Sequence, residues 1–420
     1  MNNEFCEKFG KLAFFYLVAY VLWRFVFTNT FLQNSFIIYG SFVFLLVAFS
    51  YLQFSTNKTL ILPNKIALLW IPYASYTVIH FFLLGSFESF SYWIIFIFIV
   101  SLPHSFNVYN SIPFKLLLIS GLFISGSIFF QFFFPSLFNS IYSSIFLESH
   151  KEAWEFSEYG LCGLTYQLGA SSEMIFLGEM SLLFLWMKGN KNNILFAFLL
   201  IVTILAMSLT GKRTNTLLAC ASPVVVLLFA KEMNAKKIII TLILSSLLIV
   251  ISFYFVSHIS DFLSIPFTKR IAESYIKYLE GIDFDSGRRY LKHLARLGFE
   301  ESPFWGIGAG RFPYWSKLGT EVHHIYYQLL CEQGLVGFIL FIVPSMYCLC
   351  MNIFLMIHTE KKSFFYPYIL FSFLFQLHFF VDGFTENVLS NLTGILIYPI
   401  VILLLNNINN SLFKYNGHKI

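Results

Sequence analysis

The chain has 420 residues, of which 57% are hydrophobic and 12% charged, with 54 phenylalanines and a formal net charge of +5. This is the composition of a polytopic membrane protein. Runs such as IIITLILSSLLIVISFYF and ILFAFLLIVTILAMSL are apolar on every face, which excludes a membrane barrel of short alternating strands.

A helix needs roughly 20 mainly apolar residues to cross a bilayer core of about 30 Å. Twelve spans are predicted, over residues 12–32, 35–54, 66–85, 89–103, 114–134, 170–187, 193–210, 214–230, 237–257, 325–357, 364–384 and 390–407. The first, Leu12 to Leu32, is too long for a signal-peptide core and lacks a small-residue cleavage site, so it reads as a span. Two more polar segments lie outside the spans, Pro135 to Gly169 and Ser257 to about His324. The expected fold is therefore all-α: one membrane domain, 1–420, of about twelve transmembrane helices. Its large outer loop, 257–324, falls between the ninth and tenth. Six cysteines are scattered, with no spacing for a disulfide framework or a zinc site. Cys220, Cys331, Cys348 and Cys350, in or beside apolar segments, read as small buried hydrophobes.

Lysines set the orientation. With the N-terminus inside, the inner segments carry Lys8 and Lys11, Lys58 and Lys65, Lys115, Lys188 and Lys191, Lys231 with Lys236 and Lys237, Lys361 and Lys362, then Lys414 and Lys419. The short outer loops TNTFLQN, GSFESF and DGFTEN contain no Lys or Arg. One outer turn, TGKRTN, breaks the rule with Lys212 and Arg213. Of the seven arginines, Arg213, Arg270, Arg288, Arg289, Arg296 and Arg311 are all assigned to the outer side, and Arg24 to the first span. Arginine suits bidentate capture of phosphate or carboxylate, so the pattern points to an anionic ligand outside.

The large outer loop contains DFDSGRRYLKHLARLGFEESPFWGIGAGRF. Residues Arg289 to Phe299 alternate apolar and charged side chains as an amphipathic helix near the membrane surface does. Gly306, Gly308 and Gly310 permit tight backbone geometry and close approach to a ligand. They follow no strand, so a dinucleotide site is not expected. Asp283 to Asp285 read as a solvated acidic turn, and no metal is expected. His323 and His324 end the loop. Imidazole's ordinary pKa of about 6.5 suits a general base, and a histidine pair also anchors helix ends at an interface; residue type leaves both readings open. Glu332, Gln333, Glu173 and Glu179 lie within apolar segments, where such groups either line a polar cleft or hold a bundle together by hydrogen bonds. Asp382 and Glu386 read as plain solvated charge.

The stretch HHIYYQLLCEQGLVG resembles the histidine motif of the O-antigen ligase and O-antigen polymerase superfamily, in which a histidine stands a fixed distance before G-x-x-G. His323 takes the histidine position, and Gly334 with Gly337 close the motif. His324 departs from the family's usual Asn, Ser or Gln, although imidazole can also donate or accept a hydrogen bond. SLTGKRTNTLLA resembles the family's arginine-bearing outer turn, which maps onto Arg213. SGRRYLKHLARLGFEESPFWGIGAGRF resembles the segment before the histidine, whose arginine maps onto Arg288. The resemblance covers Ile194 to about Phe341.

The resemblance implies a glycosyltransferase that takes a glycan from a polyprenyl diphosphate and passes it to an acceptor hydroxyl, with no cofactor and no metal. It implies His323, Arg213 and Arg288 as catalytic; Lys212, Arg289, His324, Arg311, Trp305 and Tyr327 are the residues expected to bind substrate around them, with interfacial anchoring as the alternative for the two aromatic rings. Tyr314, Trp315 and Tyr326 are further candidates for stacking on sugars, although aromatic rings at a membrane boundary also serve as interfacial anchors. The expected partners are a lipid-linked oligosaccharide donor and a glycan acceptor, with a chain-length regulator and a flippase of the same pathway, and no nucleic acid. The expected location is the bacterial inner membrane, with both termini cytoplasmic and the site periplasmic. Three functions compete: a polysaccharide polymerase, which is preferred; a ligase that delivers polymer to lipid A core; and a polysaccharide or glycolipid transporter.

Overall fold

The structure is a computed structural model that describes residues 65–84, 111–145, 160–165, 168–189, 193–229, 288–386 and 392–417, with scattered single positions elsewhere. The expected spans 12–32, 35–54, 89–103 and 237–257 lie wholly or largely outside the described residues, as do the Asp283–Asp285 turn, Arg24 and Arg270.

Every described element is a helix: α1 Lys65–Leu84, α2 Ile112–Phe133, α3 Pro135–Ile145, α4 Leu168–Met187, α5 Asn193–Leu209, α6 Arg213–Phe229, α7 Arg288–Glu301, α8 Phe312–Trp315, α9 Ile325–His358, α10 Tyr366–Asp382 and α11 Leu392–Gly417. Three of them contain stretches long and apolar enough to cross a membrane, Pro113–Phe133, Leu168–Met187 and Ile325–His358. Shorter apolar helices lie over Ile66–His80, Asn193–Leu209, Arg213–Phe229 and Ile397–Leu412.

Apolar side chains occupy both the centre and the outer face, as expected where the surroundings are hydrocarbon. Trp70 and Tyr73 of α1 meet Phe341 of α9, and Tyr398 of α11 stacks on Phe379 of α10 with centroids 4.6 Å apart. Phe82, Ile194, Phe198 and Ile357 remain exposed on the periphery. With lipid outside, burying apolar surface provides little drive for helices to associate, so small residues and polar links carry more of the specificity. Gly121 of α2 and Gly178 of α4 meet so closely that a Cβ on either would stand within 3 Å of the other's backbone. Deeper in the bundle, His378 of α10 bonds the Asn215 side chain of α6 at 3.1 Å, and Asn215 donates to Ser172 of α4 at 2.8 Å.

Three expectations change. The outer segment after residue 134 opens with an amphipathic helix, α3, directly after the chain breaks at Phe134. The helix expected over 289–299 runs from Arg288 to Glu301. Its buried side, Leu291, Ala295 and Gly298, is covered by protein: Gly298 lies against Cys331 of α9 and Trp315 of α8. Cys350 is exposed, unlike the buried Cys331 and Cys348.

The largest departure from regular geometry is in α9. Gly334, at φ 65° and ψ −170°, interrupts the helix, and the loop between α7 and α8 fills the break. The amides of Ile307 and Gly308 donate to the carbonyls of Cys331 and Glu332 at 2.9 Å each, and the amide of Leu335 donates to Pro303 at 2.8 Å. Backbone groups freed by a broken helix are thus satisfied by protein, as a membrane interior demands. Neither Gly334 nor Gly306 could carry a side chain here. Both have positive φ, and a Cβ would come within 2.3 Å of the opposing backbone, Phe304 for one and Glu332 for the other.

Candidate active site

The site is assembled from three helix ends and one turn. A threonine-supported turn joins α5 to α6: Thr210 and Gly211 close it, Lys212 precedes α6, and Arg213 is the first helical residue. Arg288 begins α7. His323 stands just before α9, whose N-cap is His324. The fourth piece follows α10, where the amides of Thr385 and Glu386 both donate to the Asp382 carbonyl at 2.8 Å, so that the chain folds back over the end of the helix.

Two bonds lock α9 to that turn. The Ile325 amide donates to the Gly383 carbonyl at 2.9 Å, and the Tyr326 hydroxyl donates to the Phe380 carbonyl at 2.9 Å. His323 is thereby held beside Glu386, with its Nδ1 3.4 Å from Oε2. The other carboxylate oxygen, Oε1, receives Lys212 Nζ and Arg288 Nη2, the latter at 3.1 Å. One carboxylate therefore ties together residues from the α5–α6 turn, α7 and the α9 entrance.

Burial would push the Glu386 carboxyl up. The hydrogen bond from His323 and the charges of Lys212 and Arg288 outweigh that and hold it at about 2. Asp382 is 1% exposed and also faces this space; Thr385 Oγ1 donates to one of its oxygens at 3.2 Å, while among the described residues Oδ2 has no hydrogen-bond partner. The reading of Asp382 and Glu386 as plain solvated charge is thus corrected. The usable signal was complementarity: DGFTEN, an outer loop with two acids and no Lys or Arg, belongs to a chain whose arginines are assigned to that same side.

The cleft beside this cluster has a volume of about 270 Å³, with Lys212, Arg213, Asn215, Arg288, Asp382 and Glu386 among its lining residues; His323 reaches it through Glu386. The first turn of α6 opens onto it. Unshared amides at a helix N-terminus attract negative charge, and here Lys212, Arg213 and Arg288 reinforce them. His323 has φ 51°, a backbone conformation uncommon for a residue with a side chain. Strain of this kind is found where a side chain must be aimed.

The remaining expected residues lie elsewhere. Arg289 is exposed, next to Arg288 but outside the cluster. Arg311 is exposed and precedes α8. His324 is buried, and as the N-cap its Nδ1 accepts from the Tyr327 amide at 3.4 Å. Tyr327 is partly exposed beside it, its ring edge-on to the His324 imidazole. Trp305 exposes its ring, yet its carbonyl accepts from His80 Nε2 at 2.8 Å and from the Tyr76 hydroxyl at 3.1 Å, which fastens the glycine loop to α1. Tyr314 is exposed, and Trp315 donates to Glu301 at 2.9 Å.

Glu332 is settled as structural. Its carboxylate accepts from the amides of Gly310 and Phe312, at 2.9 and 3.1 Å, and so holds the glycine loop in place. Gln333 is buried at the helix break, where its carbonyl accepts from Tyr76 at 2.6 Å. Glu173 and Glu179 are buried in α4 and do not line the cleft; among the described residues neither oxygen of Glu179 has a hydrogen-bond partner.

Residues 195–342 match the protein-family model described as O-antigen ligase. That segment contains Lys212, Arg213, Arg288 and His323, and it ends before Asp382 and Glu386. No curated protein matches the chain.

Proposed function

From the premise that residues 195–342 are those of the O-antigen polymerase and ligase superfamily, and so of a glycosyltransferase-like enzyme, we propose that this protein is a polysaccharide polymerase. It transfers a glycan from a polyprenyl diphosphate to a sugar hydroxyl of a second lipid-linked repeat unit, at the periplasmic face of the inner membrane. The observation that carries this reading is the convergence of Lys212, Arg288 and His323 on Glu386 beside Arg213.

The chemistry follows from that arrangement. The acceptor oxygen attacks the anomeric carbon, the bond from that carbon to the diphosphate oxygen breaks, and the acceptor's proton passes to His323. Glu386 accepts from the Nδ1 side of the ring, which leaves Nε2 of a partly exposed imidazole to receive the proton. Negative charge develops on the departing diphosphate, where Arg213, Arg288, Lys212 and the α6 N-terminus stabilise it. The reading needs no metal and no nucleotide. A ligase acting on lipid A core would use the same groups with a different acceptor, and the family match is common to both readings.

The test is the surface polysaccharide of cells lacking the gene, complemented with the native form or with His323→Ala, Arg213→Ala or Arg288→Ala, each checked for membrane abundance. Losing a general base costs about 10² to 10⁴ in rate and losing one donor to a developing negative charge about 10² to 10³, so none of the three should restore the ladder. Core capped by a single repeat unit in the null strain supports the polymerase. Bare core with lipid-linked polymer accumulating makes the protein a ligase, and full complementation by the variants removes the site.

A further inference from the structure

A second concavity, of about 400 Å³, lies between α2 and α3. Phe123, Gly126, Phe130, Phe138, Ile141 and Leu164 line it, and its one side-chain hydroxyl on α2 is already engaged: Ser127 donates to the Ile124 carbonyl at 2.7 Å and accepts from the Leu164 amide at 3.1 Å. Its inner wall is aromatic, with Phe138 stacked 5.6 Å from Tyr142 and edge-on to Phe130 at 5.9 Å. Of the lining residues Phe123 and Ile141 are exposed, on the bundle's apolar periphery.

This groove is connected to the charged cleft by a single short segment. In residues 160–165, the Leu161 amide donates to the Leu209 carbonyl at 2.8 Å, beside the turn that carries Lys212. The Gly163 amide donates to Gln131 of α2 at 2.8 Å, and Leu164 forms part of the groove. Leu161 and Leu164 are three residues apart, at most about 11 Å of chain. An anion-binding cleft and a hydrocarbon-lined groove that this one segment joins, through the turn before Lys212 at one end and Leu164 at the other, are matched to one amphiphile, whose charged head and apolar tail are joined directly.

We propose that the groove between α2 and α3 holds the hydrocarbon chain of the lipid-linked donor while its diphosphate occupies the Lys212–Arg213–Arg288 cleft. The proposal rests on the lipid-diphosphate reading of the cleft and adds where the chain lies. α3 then forms a lateral wall that guides the lipid from the bilayer to the reacting end of the bundle, and a donor with a longer chain is held better than one truncated near the diphosphate.

Gly126 provides the test, because nothing lies within 4 Å of a Cβ placed there. Gly126→Leu puts bulk into the groove from a position where its Cβ meets no neighbour. The full-length protein in nanodiscs would be assayed with a glycan linked through diphosphate either to a long polyprenyl chain or to two isoprene units, with Val343→Trp, on the exposed face of α9, as control. Losing a few buried methylenes of contact should raise KM for the long-chain donor about tenfold, with kcat unchanged and the short-chain donor unaffected. An equal effect on both donors, or on neither, overturns the proposal. A diazirine-bearing polyprenyl diphosphate supplies a readout independent of turnover. It should label peptides containing Phe123, Phe138 or Ile141, with unlabelled polyprenyl diphosphate as competitor; competition by bulk phospholipid alone means ordinary annular lipid and overturns it. If labelling and its competition hold but no glycan is transferred from either donor, the polymerase reading fails and the groove stands.

Discussion

The family-like segment contributes to two constructions, and they are built on opposite principles. Around Gly334, the α9 break, the 302–311 loop and α1 are joined chiefly through backbone groups, with Glu332, Tyr76 and His80 supplying the side-chain bonds. Around Glu386, four chain segments meet through charged side chains at the rim of an open cleft. Glu332 lies nine residues beyond His323, about 13 Å along a helix axis, so the histidine and the glycines of one motif divide between the two. The first construction is a clasp built mainly of backbone hydrogen bonds. The second gathers cations around one carboxylate beside the cleft. A motif that reads as one unit in sequence therefore combines a scaffold with the chemistry it supports.

The comparison breaks most severely at the clasp glycines. Gly334→Val or Gly306→Val places a side chain on backbone 2.3 Å away at positive φ, and should cost roughly 3 kcal/mol or more. Membrane abundance and the Tm in detergent should fall together, with activity lost in proportion to folded protein. A normally abundant, inactive Gly334→Val protein would instead make the glycine a participant in the chemistry.

Glu386→Gln sharpens the other half. It keeps the shape and removes the charge that Lys212, Arg288 and His323 share, so the effect should fall on activity, by about ten- to a hundredfold, with folding largely retained. The pH dependence carries a sign. A carboxyl held at about 2, below its ordinary value of about 4.3, contributes stability that is fully present above the higher value and is lost as pH falls through the lower one. Native protein and Glu386→Gln should therefore differ by a constant Tm offset from pH 8 to 5, and the offset should shrink from about pH 4 downward. An offset that changes between pH 7 and 6 would assign the titration to another group.

How far this was readable in the sequence depends on the range of the signal. The helices, the Lys212–Arg213 turn, Arg288 and His323 each carry a local signature: an apolar run, a basic turn that breaks the lysine pattern, a motif at fixed spacing. Glu386 carries none. It lies 174 residues from Lys212 and 98 from Arg288, and only folding makes it their common partner. Glu332 stayed open between two readings for a different reason, since an acid in an apolar helix reads alike whether it lines a cleft or caps two amides. Trp305, Arg311 and His324 sit in suggestive surroundings, yet the first holds the loop through its carbonyl, the second is exposed ahead of α8, and the third caps α9.

The smallest expected effect is the most discriminating, because it separates two adjacent residues of identical type. On a helix, neighbours point about 100° apart. Arg288 reaches Glu386 at 3.1 Å and lines the cleft, whereas Arg289 is exposed and does not line it. Arg289→Ala should therefore change turnover by no more than about twofold, the usual scale for a surface charge outside a network, while Arg288→Ala reduces it by about a hundredfold. Arg288→Lys keeps the charge but not the planar fork, and should recover only part of that loss if the ligand is held bidentately. Steady-state rates for the three variants at matched membrane abundance decide it: equal losses at 288 and 289 would mean that α7 turns on its axis when substrate binds, so that the cleft seen here is one of two settings of that helix.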